Sequence, residues 1–208
     1  MTLSKQIEER IENATFGSIF VITDFTDLSS YDVARKTLSR LEAEKKIVKA
    51  CRGIYYKPKY SRLLGETVAP DMNGIAEAIA RNFGWVITPS GENALNMLGL
   101  STQVPGRYSY ISSGPYKSYD IGNSTIEFAH RSDKDINGKS YQTRLVIQAI
   151  KAIGKDKIAC YIPEFRKKIS KNDKRLILKE GQRSTAWTYA AIKEINKENE
   201  DVSDSKKR

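Results

Sequence analysis

Histidine is almost missing from this 208-residue chain, with His130 the only one. A zinc site and a histidine-dependent catalytic triad both lose their commonest side chain. Cysteine is nearly as scarce. Cys51 and Cys160 lie far apart with no metal-ligand spacing, which predicts a reduced, cytoplasmic protein without a disulfide framework. No apolar run approaches the roughly 20 residues that span a bilayer, so no membrane partner is expected. The N-terminal MTLSKQIEERIENA carries acidic residues at helical spacing and reads as a helix, not as a signal peptide. No segment repeats another. A G-x-S-x-G elbow is missing, as is a Gly-Ser phosphate loop upstream of Asp133 and Asp135. Neither a cofactor nor an enzymatic activity is expected.

What is abundant is positive charge. The chain has 35 Lys and Arg against 25 Asp and Glu, a formal net charge of +10. Such an excess suits a polyanion, because each phosphate contact releases a counterion. Its distribution is uneven. Residues 1–62 carry 12 basic and 8 acidic side chains, residues 63–130 carry 3 and 6, and residues 131–183 carry 15 and 6. Two basic regions thus flank a mildly acidic one.

The first basic region has a readable order. Leu3, Ile7, Ile11 and Ala14 form the apolar stripe of a first helix that Gly17 ends. Ser18 to Ile22 predicts a short strand, and Thr23 to Leu28 a short second helix. Ser29-x-x-Asp32 fits a capping box opening a third helix. Ala34, Leu38 and Leu41 share its inner face, with Thr37 beside them. Tyr31, Asp32, Arg35, Lys36, Ser39 and Arg40 lie toward the other side. Strands from Ile47 and over Ile54 to Tyr56 then flank an Arg52-Gly53 turn, and Pro58 closes the ribbon. Helix, turn and basic ribbon in this order predict a winged helix-turn-helix. A major groove admits one helix. Arg35, Lys36 and Ser39 are placed to read or clasp that groove, with Tyr31 beside them. Arg40, Lys49, Arg52 and Lys57 are placed to hold phosphates, and Tyr55 sits on the ribbon. A solvated charged face is the plainer explanation of an isolated basic helix, but the cap, ribbon and glycine tip favour DNA binding.

Residues 63–72 have poor periodicity and read as a linker. Beyond it, helices are expected over Ile75 to Phe83, after Ser90, over Leu145 to Ile153, over Asp173 to Lys179 and over Thr185 to Asn196. Strands are expected over Val86 to Thr88, Tyr108 to Ser112, Tyr116 to Ile121, Ser124 to Ala129 and Ile158 to Ile162. The turns are Ser113-Gly114-Pro115 and Gly122-Asn123. Ser90 is a better helix N-cap than nucleophile. Asp133 and Asp135 suit a solvated loop better than a metal site. His130 suits a structural role, and Cys51 a small reduced thiol. Tyr108, Tyr110, Tyr116 and Tyr119 are explained by cross-strand packing. Arg166, Lys167, Lys168, Lys171, Lys174 and Arg175 form a second basic cluster, explained equally well by solvated helix faces or by a second surface for nucleic acid or an acidic protein.

Two segments carry a family resemblance. They are TLSRLEAEKKIVKACRGIYYKPKYSRLLGE, residues 37–66, and TPSGENALNMLGLSTQVPGRYSYISSGPYKSYDIGNSTIEFAH, residues 88–130. Ser90-Gly91, the run from Leu98 to Pro105 and the Gly114-Pro115 turn, in that order, are the more specific part. The chain resembles the AbiEi-like antitoxins of prokaryotic type IV toxin–antitoxin systems, within the DUF6088 group. The resemblance implies an N-terminal domain that represses its own operon by binding operator repeats in double-stranded DNA. It also implies a C-terminal domain that counteracts a nucleotidyltransferase-like toxin without requiring a stable complex. The Lys-rich part beyond about Lys155 departs from any motif of that family.

The expected fold is therefore α+β: a winged helix-turn-helix over residues 1–62, a linker over 63–72, and a mixed α/β domain with a small antiparallel sheet over 73–197. A disordered tail is expected over 198–208. The expected function is that of a DNA-binding autorepressor and antitoxin. The alternative is a protein-interaction module that keeps the winged helix only as a scaffold and binds an acidic partner through residues 144–183.

Overall fold

The computed structural model describes residues 2–63, 65–131 and 138–197. The fold is α+β, with eight α-helices among the described residues and small antiparallel sheets. Compact packing divides it into two units. The first comprises residues 1–87, 106–108 and 114–128, and the second residues 88–105, 109–113 and 129 onward.

The first unit opens with α1 (Leu3–Asn13), whose four-residue stripe buries Ile7 and Ile11. Next come β1 (Ile19–Val21), a 3-10 turn (Ile22–Phe25), α2 (Tyr31–Ala43), β2 (Val48–Cys51) and β3 (Ile54–Tyr56). The three strands form an antiparallel sheet ordered β1-β3-β2. This is a winged-helix arrangement whose second helix is reduced to one 3-10 turn, where Thr23 to Leu28 had predicted a helix. Asp24 explains the tight turn: its carboxylate accepts from the Val21 amide at 2.9 Å and so holds the chain at the turn's start. The helices and the sheet close over one core of Ile7, Ile11, Phe20, Ile22, Phe25, Ala34, Leu38, Leu41, Ile47 and Tyr55. Gly53 tips the β2–β3 ribbon at φ +81°, a conformation that a side chain disfavours.

Two local readings are corrected. α2 starts at Tyr31 with Ser30 as N-cap, and no side chain caps it. The Ser29 hydroxyl donates instead to the Ser30 carbonyl at 3.3 Å, so the Ser29–Asp32 capping box does not form. α1 ends at Asn13, four residues before Gly17, whose amide donates to the Lys57 carbonyl at 2.8 Å.

The stretch expected as a linker holds β5 (Glu66–Val68), which pairs with β4 (Lys59–Ser61) just before it. α3 (Met72–Phe83) follows, with Asp71 accepting from the Asn73 and Gly74 amides. The division of the chain also differs from boundaries at residues 62 and 73, because α3 belongs to the first unit. Arg81 on α3 donates twice to Asp24, both at 3.0 Å, and Gly74 lies so close to Ile19 that a Cβ would stand 2.7 Å from its Cδ1.

The remaining strands are β6 (Ile87–Pro89), β7 (Arg107–Ser112), β8 (Lys117–Ile121) and β9 (Ser124–His130), in sheet order β6-β7-β9-β8. β8 and β9 form the expected hairpin, with Ile121 opposite Ser124 across Gly122-Asn123. In the first unit Trp85 stacks on Phe83 at 4.8 Å and meets Phe128 edge-on at 5.6 Å. Gly114 sits against it, and a Cβ there would stand 2.3 Å from two atoms of the indole. The ring is held by aromatic neighbours and cannot yield cheaply. Gly114→Ala is accordingly expected to lose roughly 1–3 kcal/mol of stability by overpacking, read as a lower urea midpoint at unchanged slope. An unchanged midpoint would show that Trp85 is not fixed there.

The second unit is mostly helical: α4 (Gly91–Met97), α5 (Tyr141–Ile153), α6 (Ile158–Lys168), α7 (Lys171–Glu180) and α8 (Ala186–Asn196). Ile158 to Ile162, expected as a strand, is the start of α6. Ile158, Ile162 and Phe165 recur at helical spacing and are all buried, which a strand's alternation cannot achieve. Ala94, Leu145, Val146, Ala149, Ile150, Phe165, Ile177 and Ile192 are among the residues of a hydrophobic core there. Glu180, at the end of α7, accepts from the Ser140 amide and hydroxyl at 2.8 Å each and so fixes the start of α5.

Candidate functional site

α2 offers two faces. Its inner face fills the winged-helix core, and its outer face faces a hollow of about 590 Å³. Tyr31, Arg35 and Ser39 line that hollow from the helix, and Lys49, Arg52, Gly53 and Tyr55 line it from the ribbon. The helix and the ribbon thus deliver six of the nine expected contact residues to one place. Asn82 and Phe83, at the end of α3, and Lys117 and Tyr119, on β8, complete it. Among the described residues no carboxylate belongs to its lining, while four cations do. The side chains of Lys49 and Arg52 make no hydrogen bond or ion pair among the described residues, and Arg35 approaches only exposed Asp32, at 3.6 Å. An exposed pair at that distance contributes little and leaves Arg35 available.

The other expected residues do different work. Arg40 points toward α1, donating to Glu8 at 2.8 Å and Glu44 at 2.5 Å. Lys46 also bonds Glu8. These bonds hold the Glu8 carboxyl below its usual range and push Arg40 and Lys46 up. Arg40 therefore pins α1 to α2, and its guanidinium is already engaged by two carboxylates. Lys57 donates to the Glu12 and Ala14 carbonyls at 2.7 and 2.8 Å and lies 4.9 Å above the Phe16 ring. It satisfies carbonyls at the C-terminus of α1, which a cation does well. Tyr55 is only 4% exposed and belongs to the core, reaching the hollow as part of its wall. Lys36 is exposed but does not line the hollow.

Lys117 and Tyr119 were not expected at such a site. Their i, i+2 spacing puts both on one face of β8, and the Lys117 ammonium lies 5.8 Å from the Tyr119 ring. That alternation was the only signal in the sequence. Tyr119 does pack as foreseen, edge-on to Phe128 at 5.9 Å, and Tyr110 is buried. The Tyr119 hydroxyl is buried without a hydrogen-bond partner, and burial raises its pKa.

Cys51, on the ribbon, has its thiol pushed up to about 11 by burial, whereas Cys160 is exposed on α6. Thiolate is the reactive form. Iodoacetamide on the native protein near pH 8 is expected to label Cys160 at least tenfold faster than Cys51, read by peptide mass spectrometry. Equal rates would mean that the ribbon opens readily.

In the second unit, Arg166, Lys167, Lys171, Lys174 and Arg175 converge on a separate hollow of about 490 Å³. Lys168 leaves that group, its ammonium lying over Gly99. Ser90 is the N-cap of α4, as expected, although its hydroxyl makes no capping bond. Asp133, Asp135 and the 198–208 tail lie outside the described residues. Among the described residues no group of three His, Cys, Asp or Glu side chains could hold a metal ion, and no helix is long and apolar enough to cross a membrane.

A family model, described as a family of unknown function (DUF6088), matches residues 6–182. No curated protein matches the chain.

Proposed function

The chain belongs to the DUF6088 family, and from that premise we propose that it is a DNA-binding autorepressor and the antitoxin of a type IV toxin–antitoxin system. The observation that carries the DNA half is the convergence of Arg35, Ser39, Lys49 and Arg52, from helix and ribbon, on one carboxylate-free hollow. Arg35 is the base-reading residue, since a guanidinium can bond guanine through two donors. Ser39 lies one turn further along the same face. Lys49 and Arg52 at the ribbon, with Lys117 beyond it, hold the phosphate backbone. No catalytic role is assigned to any residue.

The antitoxin half rests on the resemblance carried by residues 37–66 and 88–130, and its partner is a nucleotidyltransferase-like toxin encoded beside it. No stable complex between the two is required by this reading.

A gel shift on the DNA upstream of the chain's own gene tests the repressor half. Salt-sensitive binding there, competed poorly by unrelated duplex, is the expected result. Absent or salt-insensitive binding ends it. For the antitoxin half, co-expression with the product of the neighbouring gene is expected to restore growth that this product alone arrests. Persistent arrest ends that reading and leaves the repressor half standing.

A further inference from the structure

The hollow in the second unit is built from one sign of charge. Arg166 and Lys167 at the end of α6, Lys171, Lys174 and Arg175 on the first turns of α7, and Lys197 after α8 all line it, and the other described lining residues are Pro163 and Asn196. Lys171, Lys174 and Arg175 stand at i, i+3 and i+4, so one face of α7 supplies three cations. Like charges so close repel one another and gain from a multiply charged anion between them.

The frame around these cations is fixed. Ser170 caps α7, accepting from the Asp173 amide at 3.1 Å, and Ile169 before it is buried. Lys174 donates to the Arg166 carbonyl at 2.8 Å, and the Arg166 guanidinium donates to the Glu194 carbonyl at 3.2 and 2.8 Å. Three helices are tied together by these bonds. Lys167 and Lys197 share their charge with rim carboxylates, Glu164 at 3.3 Å and Glu194 at 2.7 Å. The exposed side chains of Lys171 and Arg175 make no hydrogen bond or ion pair among the described residues, so both are open to a ligand.

The volume, about 490 Å³, is that of a small-molecule site. Among the described residues its lining has no aromatic side chain on which a base could stack. The cations line one hollow, whereas a duplex backbone is followed by a stripe of cations. We propose that this hollow binds a small phosphate-dense anion, a chain of two or more linked phosphates, through Lys171 and Arg175 supported by Arg166, Lys167, Lys174 and Lys197. The site is independent of the DNA-facing hollow and of the antitoxin reading.

Titration calorimetry of the full chain with inorganic triphosphate tests this. Saturable one-to-one binding is expected, weakened about tenfold or more by Lys171→Ala with Arg175→Ala. The control pair Lys155→Ala with Lys157→Ala removes the same charge from exposed positions outside the hollow and is expected to leave the affinity within about twofold. A nucleoside triphosphate is the second arm. Equal affinity assigns the ligand to the phosphate chain alone, and tighter binding assigns it to a nucleotide; both support the site. Absence of saturable triphosphate binding, or equal loss in the two double variants, overturns it. So does a result in which the Lys171/Arg175 pair affects only capture of duplex DNA or of an acidic protein.

Discussion

Replacing Arg35 and Arg52 together with alanine is expected to weaken binding to the upstream DNA by roughly 100-fold or more near physiological salt. The two residues act differently. A bidentate arginine–guanine contact discriminates by about 1–3 kcal/mol, so Arg35→Ala alone should bring the upstream DNA closer to unrelated duplex. Arg52, beside the ribbon's glycine tip, meets phosphate, so Arg52→Ala should weaken all sequences alike and lower the salt slope by about one. Gel shifts at several salt concentrations separate the effects. Arg40→Ala and Lys57→Ala supply the contrast. Both remove a cation, yet both side chains are engaged with α1. Their DNA affinity should stay near that of the parent while their stability falls slightly. If Arg40→Ala weakened DNA binding as much as Arg35→Ala, net charge and not the α2–ribbon hollow would govern the interaction.

Leu38→Ala is expected to cost roughly 2–5 kcal/mol of stability. Leu38 lies on α2 beside Ser39, but it points the other way and is fully buried in the winged-helix core. Removing three methyl-equivalent groups there loses their transfer energy and leaves a cavity among Ile7, Ile11, Phe25 and Leu41 that a close-packed core closes only in part. Urea unfolding should show the lower midpoint. A small domain has roughly 5–15 kcal/mol in total, so the first unit should melt measurably earlier than the parent. DNA affinity of the fraction still folded should be unaffected, because no groove-facing side chain changes. A loss below about 1 kcal/mol would mean that α2 is not held by this face.

Much of this was legible locally. The order helix, strand, helix and ribbon follows from the four-residue stripe of Ile7 and Ile11, the inner face Ala34–Leu38–Leu41 and the Arg52-Gly53 turn. Each is a short-range pattern with a short-range cause. Where local signals compete, short-range pattern does not decide the structure. Asp24 draws the chain into a 3-10 turn through the Val21 amide, and the pattern over Thr23 to Leu28 does not reveal that bond. Ile158 to Ile162 is apolar and short, and such a run has no period of its own until Phe165 extends it into a helix.

The roles of single cations were less legible. Arg35 and Arg40 sit on the same helix, and both are basic residues on its outer side. Only the position of Glu8, 32 residues before Arg40, turns one of them into a structural pin. Lys57 is likewise claimed by carbonyls 43 and 45 residues away. Lys117 and Tyr119 join the hollow from a hairpin more than sixty residues beyond the ribbon.

The amino-acid sequence by itself determined the α+β class, the winged-helix order, the uneven basic charge and which face of α2 turns inward. Those properties depend on spacing along one element, where neighbours in sequence are neighbours in space. Tertiary structure alone decided which cations are free and which are already paired, that α3 belongs to the first unit, and that the Lys-rich helices of the second unit converge on one hollow. Pairing and convergence depend on groups brought together across long stretches of chain, and no local periodicity encodes that distance.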